Sequence, residues 1–383
     1  MNLDTETLLS AARDQTGLAD FGDPSFHEGL EVLVGALNTE ARLTETGSQR
    51  VGASIVATLA NRLQVEDYLK QNPQLLDAPI EKPLFVFGLP RTGTTLAINL
   101  LAADPVRRIF MRWEAFNTVP PAAHGALRSD PRCHAEQARL DMSLKYVPHI
   151  SAMHHEDADS SCECQFATTP SFISQVYDSQ YHIPSYHEWF MAADYAPAFR
   201  YHKRLMQLLQ ANNAGRWTFK NPWHPLYLDA LTGVYPDAQL VMTHRDPGDV
   251  VGSACSLVHA VRKLYSDDVD PRAIAEVSLR TFEAMIARVE AFEKKHGAGA
   301  IHHIQYKALT ADPILEMRKL YAKFNEPLSD EAVAAMQTML NTKPKDKFGK
   351  HEYRLEDYGL TRGEVLERFA GYIERYGIAV KPA

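Results

Sequence analysis

Residues Phe85 to Thr95 read FVFGLPRTGTT and are followed by LAINLLAADP over 96 to 105. The four residues before Leu89 suit a buried strand, the next five a glycine-punctuated loop, and the apolar run beyond them a helix. A strand-loop-helix of this form binds phosphate. Backbone N–H groups converge at the helix N-terminus, the macrodipole adds partial positive charge, and Gly88 and Gly93 allow the backbone close to an anion. Gly88 and Gly93 match the first part of the P-loop pattern GxxxxG, but Thr94 stands where that pattern requires lysine. The cation is instead Arg91, inside the loop. An ordinary ATPase or GTPase sets its lysine on the β- and γ-phosphates, so the substitution points to a different phosphorylated donor.

The rest of the chain must supply a large scaffold for that loop. With 383 residues, 45% hydrophobic and 23% charged, it can bury a sizeable core as one large domain, or one domain with an appendage. A net charge of −8 argues against a general nucleic-acid binder, so any anion site is local. Residues 1 to 30 lack a signal-peptide pattern and no run of about 18 apolar residues suggests a membrane span, so the expected location is cytoplasmic. Cys133, Cys162, Cys164 and Cys255 are too few for a disulfide scaffold and are expected to be reduced.

Residues 4 to 77 carry apolar positions at helical spacing, interrupted near Gly22-Asp23-Pro24, and predict an N-terminal helical region over 1–80. From 81 to 383 the pattern becomes α/β: strands are predicted at PLFVFG (83 to 88), RWTFK (216 to 220), AQLVMTH (238 to 244) and AIHHIQY (300 to 306). Strands alternating with helices imply a parallel sheet covered on both faces. The long segment 105–215 between the first two strands is rich in Pro, His, Tyr and Trp. It is expected to form an acceptor pocket outside the carboxyl ends of the strands, although simple core packing accounts for the aromatics equally well. A second anion site is predicted where LVMTH runs into Arg245-Asp246-Pro247, since Ser253 follows Arg245 by eight residues and both can face one ligand.

Taken together, these two sites make the chain resemble the sulfotransferases that use 3′-phosphoadenosine-5′-phosphosulfate (PAPS), in particular the bacterial branch whose loop reads PRTGTT or PRSGTT. The tyrosylprotein sulfotransferases carry a similar loop. The resemblance extends through WTFKNPWH, YPDAQLVMTHRDP, QYKALTADP and GKHEYRLEDYGL, roughly residues 82 to 365. It implies a P-loop-containing nucleoside-triphosphate-hydrolase-like α/β fold, a parallel sheet flanked by helices. It also implies that Arg91, Thr92, Gly93, Thr94 and Thr95 hold the 5′-phosphosulfate and that Arg245 and Ser253 hold the 3′-phosphate. In QYKALTADP, where relatives often read YEDL, Lys307 and Ala308 replace acidic residues and leave Tyr306 as the nucleotide contact. Lys347, Gly349 and Lys350, in the basic run Lys345 to His351, resemble the family's late loop over the 3′-phosphate.

Sulfuryl transfer places negative charge on the bridging oxygen of the leaving nucleotide, so cations and backbone donors must face it. By motif, Lys220 corresponds to the family lysine that stabilises the leaving phosphate, together with Arg91. No metal is demanded if these side chains do that work, although Asp246 mimics a metal-binding acidic strand end. The general base is expected to be Glu114 in RWEAFNTVPP, with a salt bridge to Arg112 or Arg108 as its alternative reading. His154, His155 and Glu163 in MHHEDADSSCECQ compete for the role. That segment fits neither a C-x₂-C nor an HExxH pattern, and a polar pocket wall is the expectation.

The expected activity is transfer of a sulfuryl group from PAPS to a hydroxyl of a small-molecule or lipid-like acceptor. Tyr177, Tyr181, His182, Tyr186, Trp189 and Phe190 are candidate acceptor contacts. Two other classes fit parts of the pattern: a P-loop kinase or NTPase, which needs magnesium and a lysine at position 94, and a nucleotide-binding module without catalysis. The exposed faces of the N-terminal helices are candidates for a homodimer contact.

Overall fold

The computed structural model describes residues 2–146, 156–342 and 352–382. Five parallel strands form one sheet in the order β2-β3-β1-β4-β5. They are β1 (Leu84–Gly88), β2 (Arg107–Ile109), β3 (Arg216–Lys220), β4 (Gln239–His244) and β5 (Ile301–Gln305). β1 lies at the centre because both of its faces are covered, and Leu84 to Phe87 are fully buried. It pairs Leu84 with Thr218 of β3 on one side, and Leu84 with Gln239 through to Gly88 with Thr243 of β4 on the other. From β1 the chain passes to the β2 edge and returns through β3, then crosses to β4 and β5. The winding therefore reverses at β1 and opens a crevice at its carboxyl end.

Four of the five strands coincide with the segments expected from the sequence. β2 escaped because Arg107-Arg108-Ile109 has neither apolar alternation nor length. Its charges are matched by tertiary partners. Arg107 donates to Glu326 at 2.7 Å and to the Tyr321 hydroxyl at 2.8 Å, and Arg108 pairs with Glu114.

The N-terminal layer is α1 (Thr5–Thr16), α2 (Phe26–Thr39) and α3 (Glu45–Gln71). Besides the anticipated break near Gly22, the chain stops being helical after Thr39 and restarts where the Thr44 hydroxyl accepts from the Gly47 N–H at 2.9 Å. Gly47 is required there, because a Cβ would stand 2.1 Å from the Tyr265 carbonyl oxygen. Leu30, Leu33, Leu59 and Leu63 share one hydrophobic core with Phe85, Phe87 and Trp217 of the sheet. Among the described residues no helix is long and apolar enough to cross a membrane.

Arg62 of α3 ties this layer together. It is 2% exposed and donates to the carbonyls of Phe21 (2.7 Å), Asp23 (2.8 Å) and Pro170 (3.0 Å), with its guanidinium over the rings of Phe26 and Tyr201. Three carbonyls lose a charged donor at once in Arg62→Ala. The substitution is expected to lower the unfolding free energy by about 2 to 4 kcal/mol, read by urea denaturation. A loss below about 1 kcal/mol would show that the arginine does not hold the layer.

Candidate active site

The loop after β1 leads into α4 (Thr94–Ala103) through three residues of positive φ: Gly88 at 152°, Arg91 at 69° and Gly93 at 100°. Gly93 caps α4 with no side-chain cap hydrogen bond. The first amides of the helix, which have no intrahelical carbonyl partner, are therefore left for an anion. Both glycines are also needed for space. A Cβ on Gly88 would lie 2.4 Å from the Thr243 carbonyl oxygen, and one on Gly93 would lie 2.7 Å from Cδ2 of Tyr306.

Arg91, Gly93, Thr94 and Thr95 line a cleft of ≈ 610 Å³. Thr92 departs from expectation. Its side chain is fully buried, its hydroxyl donates to the Leu89 carbonyl at 2.6 Å, and it shares a hydrogen bond with the Thr243 hydroxyl at 2.7 Å. It holds the loop to β4 and offers an anion only its backbone amide.

Arg245 and Ser253 converge on the same loop, as their spacing suggests. The Arg91 Nε donates to Ser253 Oγ at 3.1 Å, and the Arg245 guanidinium donates to the Arg91 carbonyl at 3.0 Å. Arg245 also lies 4.5 Å from the centre of the Tyr306 ring, which stands at the cleft. The Arg91 guanidinium is disfavoured by burial and then by the neighbouring Arg245 cation, and its pKa is lowered. Two adjoining guanidiniums at an uncapped helix start make this end of the cleft electropositive and suited to an anion. Asp246, which resembles a metal-binding strand end in the sequence, is instead a cap. It accepts from the Gly248 N–H at 2.9 Å and the Lys381 N–H at 2.8 Å, and it pairs with Arg362.

The two candidate glutamates sit in different places. Glu114 is fully buried, paired with Arg108, and accepts from the Met111 N–H at 3.0 Å. It does not line the cleft, so it matches the salt-bridge alternative. Glu163 does line the cleft, next to the helix Cys164–Thr168, with Lys220 Nζ at 2.7 Å and the Gln165 amide on its other oxygen. Lys220 is 2% exposed and is absent from the cleft wall. Its ammonium is paired with Glu163. His154, His155, Lys347, Gly349 and Lys350 lie outside the described residues. Among the described residues no group of His, Cys, Asp or Glu is arranged to hold a metal.

The aromatic candidates of the 105–215 segment are largely core. Tyr177, Tyr186 and Phe190 are buried and pack on one another, as the alternative reading had it. The apolar part of the cleft comes from Phe166, Trp223, Phe282 and the face Ala254, Leu257, Val258 and Val261 of the helix Pro247–Arg262. The helical spacing of that last group was visible in the sequence, but its direction into a cleft was not.

The parallel sheet and its loop place the protein among α/β group-transfer folds. The chain belongs to the Sulfotransferase family, whose sequence model matches residues 83–330. It is similar to the sulfotransferase STF9 of Mycobacterium avium, with 34% identity, 99% of this chain and 98% of that one covered, and a TM-score of 0.90. It is also similar to STF1 of Mycobacterium tuberculosis, with 34% identity, 97% and 99% coverage and a TM-score of 0.87. Among curated proteins it matches the omega-hydroxy-beta-dihydromenaquinone-9 sulfotransferase Stf3 of Mycobacterium bovis, 22% identical over 320 residues, 78% of this chain and 75% of that one.

Glu114→Gln leaves Arg108 buried without its counter-charge and is expected to destabilise the fold by about 3 to 5 kcal/mol. Well below the melting temperature, turnover should stay within a few-fold of wild type. A melt and a rate measured on the same preparation test this, and a large fall in kcat without loss of stability would return Glu114 to the reaction.

Proposed function

We propose that the protein is a PAPS-dependent sulfotransferase that converts a hydroxyl of a small-molecule or lipid-like acceptor into a sulfate ester, releasing adenosine 3′,5′-bisphosphate. The observation that carries this reading is Arg91, set in the phosphate-type loop, joined to Ser253 and Arg245 and lining one cleft with Glu163. PAPS supplies the sulfuryl group. The amides of Gly93, Thr94 and Thr95 and the two threonine hydroxyls hold the 5′-phosphosulfate oxygens. Arg91 faces the bridging oxygen, where charge grows as the bond to sulfur breaks. Arg245, with Ser253 and the Tyr306 ring beside it, receives the 3′-phosphate.

Glu163 accepts the proton of the acceptor hydroxyl as its oxygen attacks sulfur in line. Lys220 and Gln165 fix the carboxylate's direction, and its remaining lone pairs are left for the hydroxyl. The apolar helix face and Phe166, Trp223 and Phe282 suit a lipid-like body, in keeping with the hydroxylated menaquinone derivative in the name of the Stf3 relatives. A kinase or NTPase reading is weaker because Thr94 replaces the lysine that such enzymes place on the β- and γ-phosphates.

Titration with adenosine 3′,5′-bisphosphate, and separately with ATP and magnesium, tests the donor. Tight binding of the bisphosphate and weak binding of ATP are expected, and the reverse order overturns the reading. Arg245→Ala should weaken bisphosphate binding by about 1.5 to 3 kcal/mol and abolish the preference for a 3′-phosphate, both read calorimetrically.

Glu163→Gln should lower kcat by roughly 10² to 10⁴-fold while bisphosphate affinity is retained. Unchanged turnover with PAPS would remove Glu163 from proton transfer.

A further inference from the structure

The helix Pro247–Arg262 begins beside the anion loop and ends on a second cation. Ser253 bonds Arg91, and Ala254, Leu257, Val258 and Val261 then line the cleft. The next residue, Arg262, borders a separate cavity of ≈ 80 Å³ together with Arg42, Tyr181, His182 and Tyr265. Gln180 lines both spaces. Nine helical residues separate Ser253 from Arg262, about 13 Å along the axis.

Arg262 is 5% exposed, and its Nε has no hydrogen-bond partner. One Nη donates to the Asp178 carbonyl at 2.8 Å, and the other lies 3.5 Å from His182 Nδ1, at the limit of a hydrogen bond. Burial lowers the pKa of Arg262, opposed by the Asp178 carboxylate through space. The acids nearby, of which Asp268 and Asp270 also line the cavity, have other partners. Asp178 Oδ2 takes His187 Nδ1 at 3.0 Å and the Gln175 amide at 2.8 Å. Asp268 pairs with Arg42 at 2.6 Å, and Asp270 caps the helix Pro271–His296 through the Arg272 N–H at 2.8 Å. The carbonyl end of the helix adds only a partial negative charge.

A buried guanidinium with an orphan N–H beside a cavity calls for an acceptor there, and its charge favours an anion over water. A water needs roughly 10 to 15 Å³ of such space, so this cavity has room for a group the size of a carboxylate.

We propose that the cavity at Arg262 is a subsite for a compact anion, a carboxylate foremost, bound by the Arg262 guanidinium with Gln180 at its entrance from the acceptor cleft. Two sources supply that chemistry: a free small anion, or the far end of an acceptor whose hydroxyl lies at Glu163 and whose apolar body follows Ala254 to Val261. The second source rests on the proposed sulfotransfer.

The test uses the full-length protein, with wild type, Arg262→Gln and Arg262→Lys compared at constant ionic strength. Sodium acetate should raise the melting temperature of wild type, do so weakly for the lysine variant, and not for the glutamine variant. ω-Hydroxydodecanoate should bind wild type at least tenfold more tightly than dodecanol, and Arg262→Gln should erase that advantage. Stabilisation by acetate with no advantage for the hydroxy acid supports the site and assigns it to a free anion. Equal responses of wild type and Arg262→Gln to both probes overturn it.

Adenosine 3′,5′-bisphosphate binding, measured on the same samples, keeps the readings apart. A variant that still binds it is folded. A wild type that never binds it contradicts the sulfotransferase reading without touching the acetate result.

Discussion

Two arginines meet in the loop before α4, where Arg245 donates to the Arg91 carbonyl and the Arg91 side chain donates to Ser253, and like charges so placed are stable only in a rigid surround. The surround is the central strand. β1 is buried on both faces, Gly88 packs directly on Thr243 of β4, and Thr92 links the loop to that same residue. The loop is therefore fixed before any ligand arrives, and its positive φ values are enforced by packing. A preformed cluster of positive charge loses little reorganisation energy when an anion enters.

The same economy governs the acid at the other end of the site. Glu163 is almost buried, and a buried carboxylate is tolerable only when paired. Lys220 answers that need from the carboxyl end of β3, where the backbones of the two residues are bridged in parallel. Glu114 and Arg108 are a second buried pair of the same kind, one layer away from the cleft. Both carboxylates are inside, and of the two Glu163 lines the cleft.

Much of this was legible in the chain. Glycines five positions apart in a strand-loop-helix pattern, and Arg245 with Ser253 at helical spacing, carry their meaning locally, because backbone conformation and one helix face decide them. β2 was not legible, since a three-residue strand with two arginines is stabilised by Glu326 and Tyr321 from far along the chain and by Glu114 a turn beyond it. The acceptor contacts expected among Tyr177, Tyr186 and Phe190 failed for a related reason: an aromatic suits a core and a pocket alike, and the sequence does not say which side of a helix faces which.

What the sequence by itself determined is the cationic half of the molecule: the parallel α/β sheet, the loop from Gly88 to Thr95 with its arginine, and the second cationic strand end. These follow from hydrophobic periodicity and from the conformations glycine permits, both of which act over a few residues. The tertiary structure alone decided which of Glu114 and Glu163 meets the cleft, that Lys220 pairs with Glu163, and that one helix face runs from the loop to Arg262. Those outcomes depend on desolvation and on charge pairing between residues far apart in sequence, and burial of that kind exists only once the chain has folded.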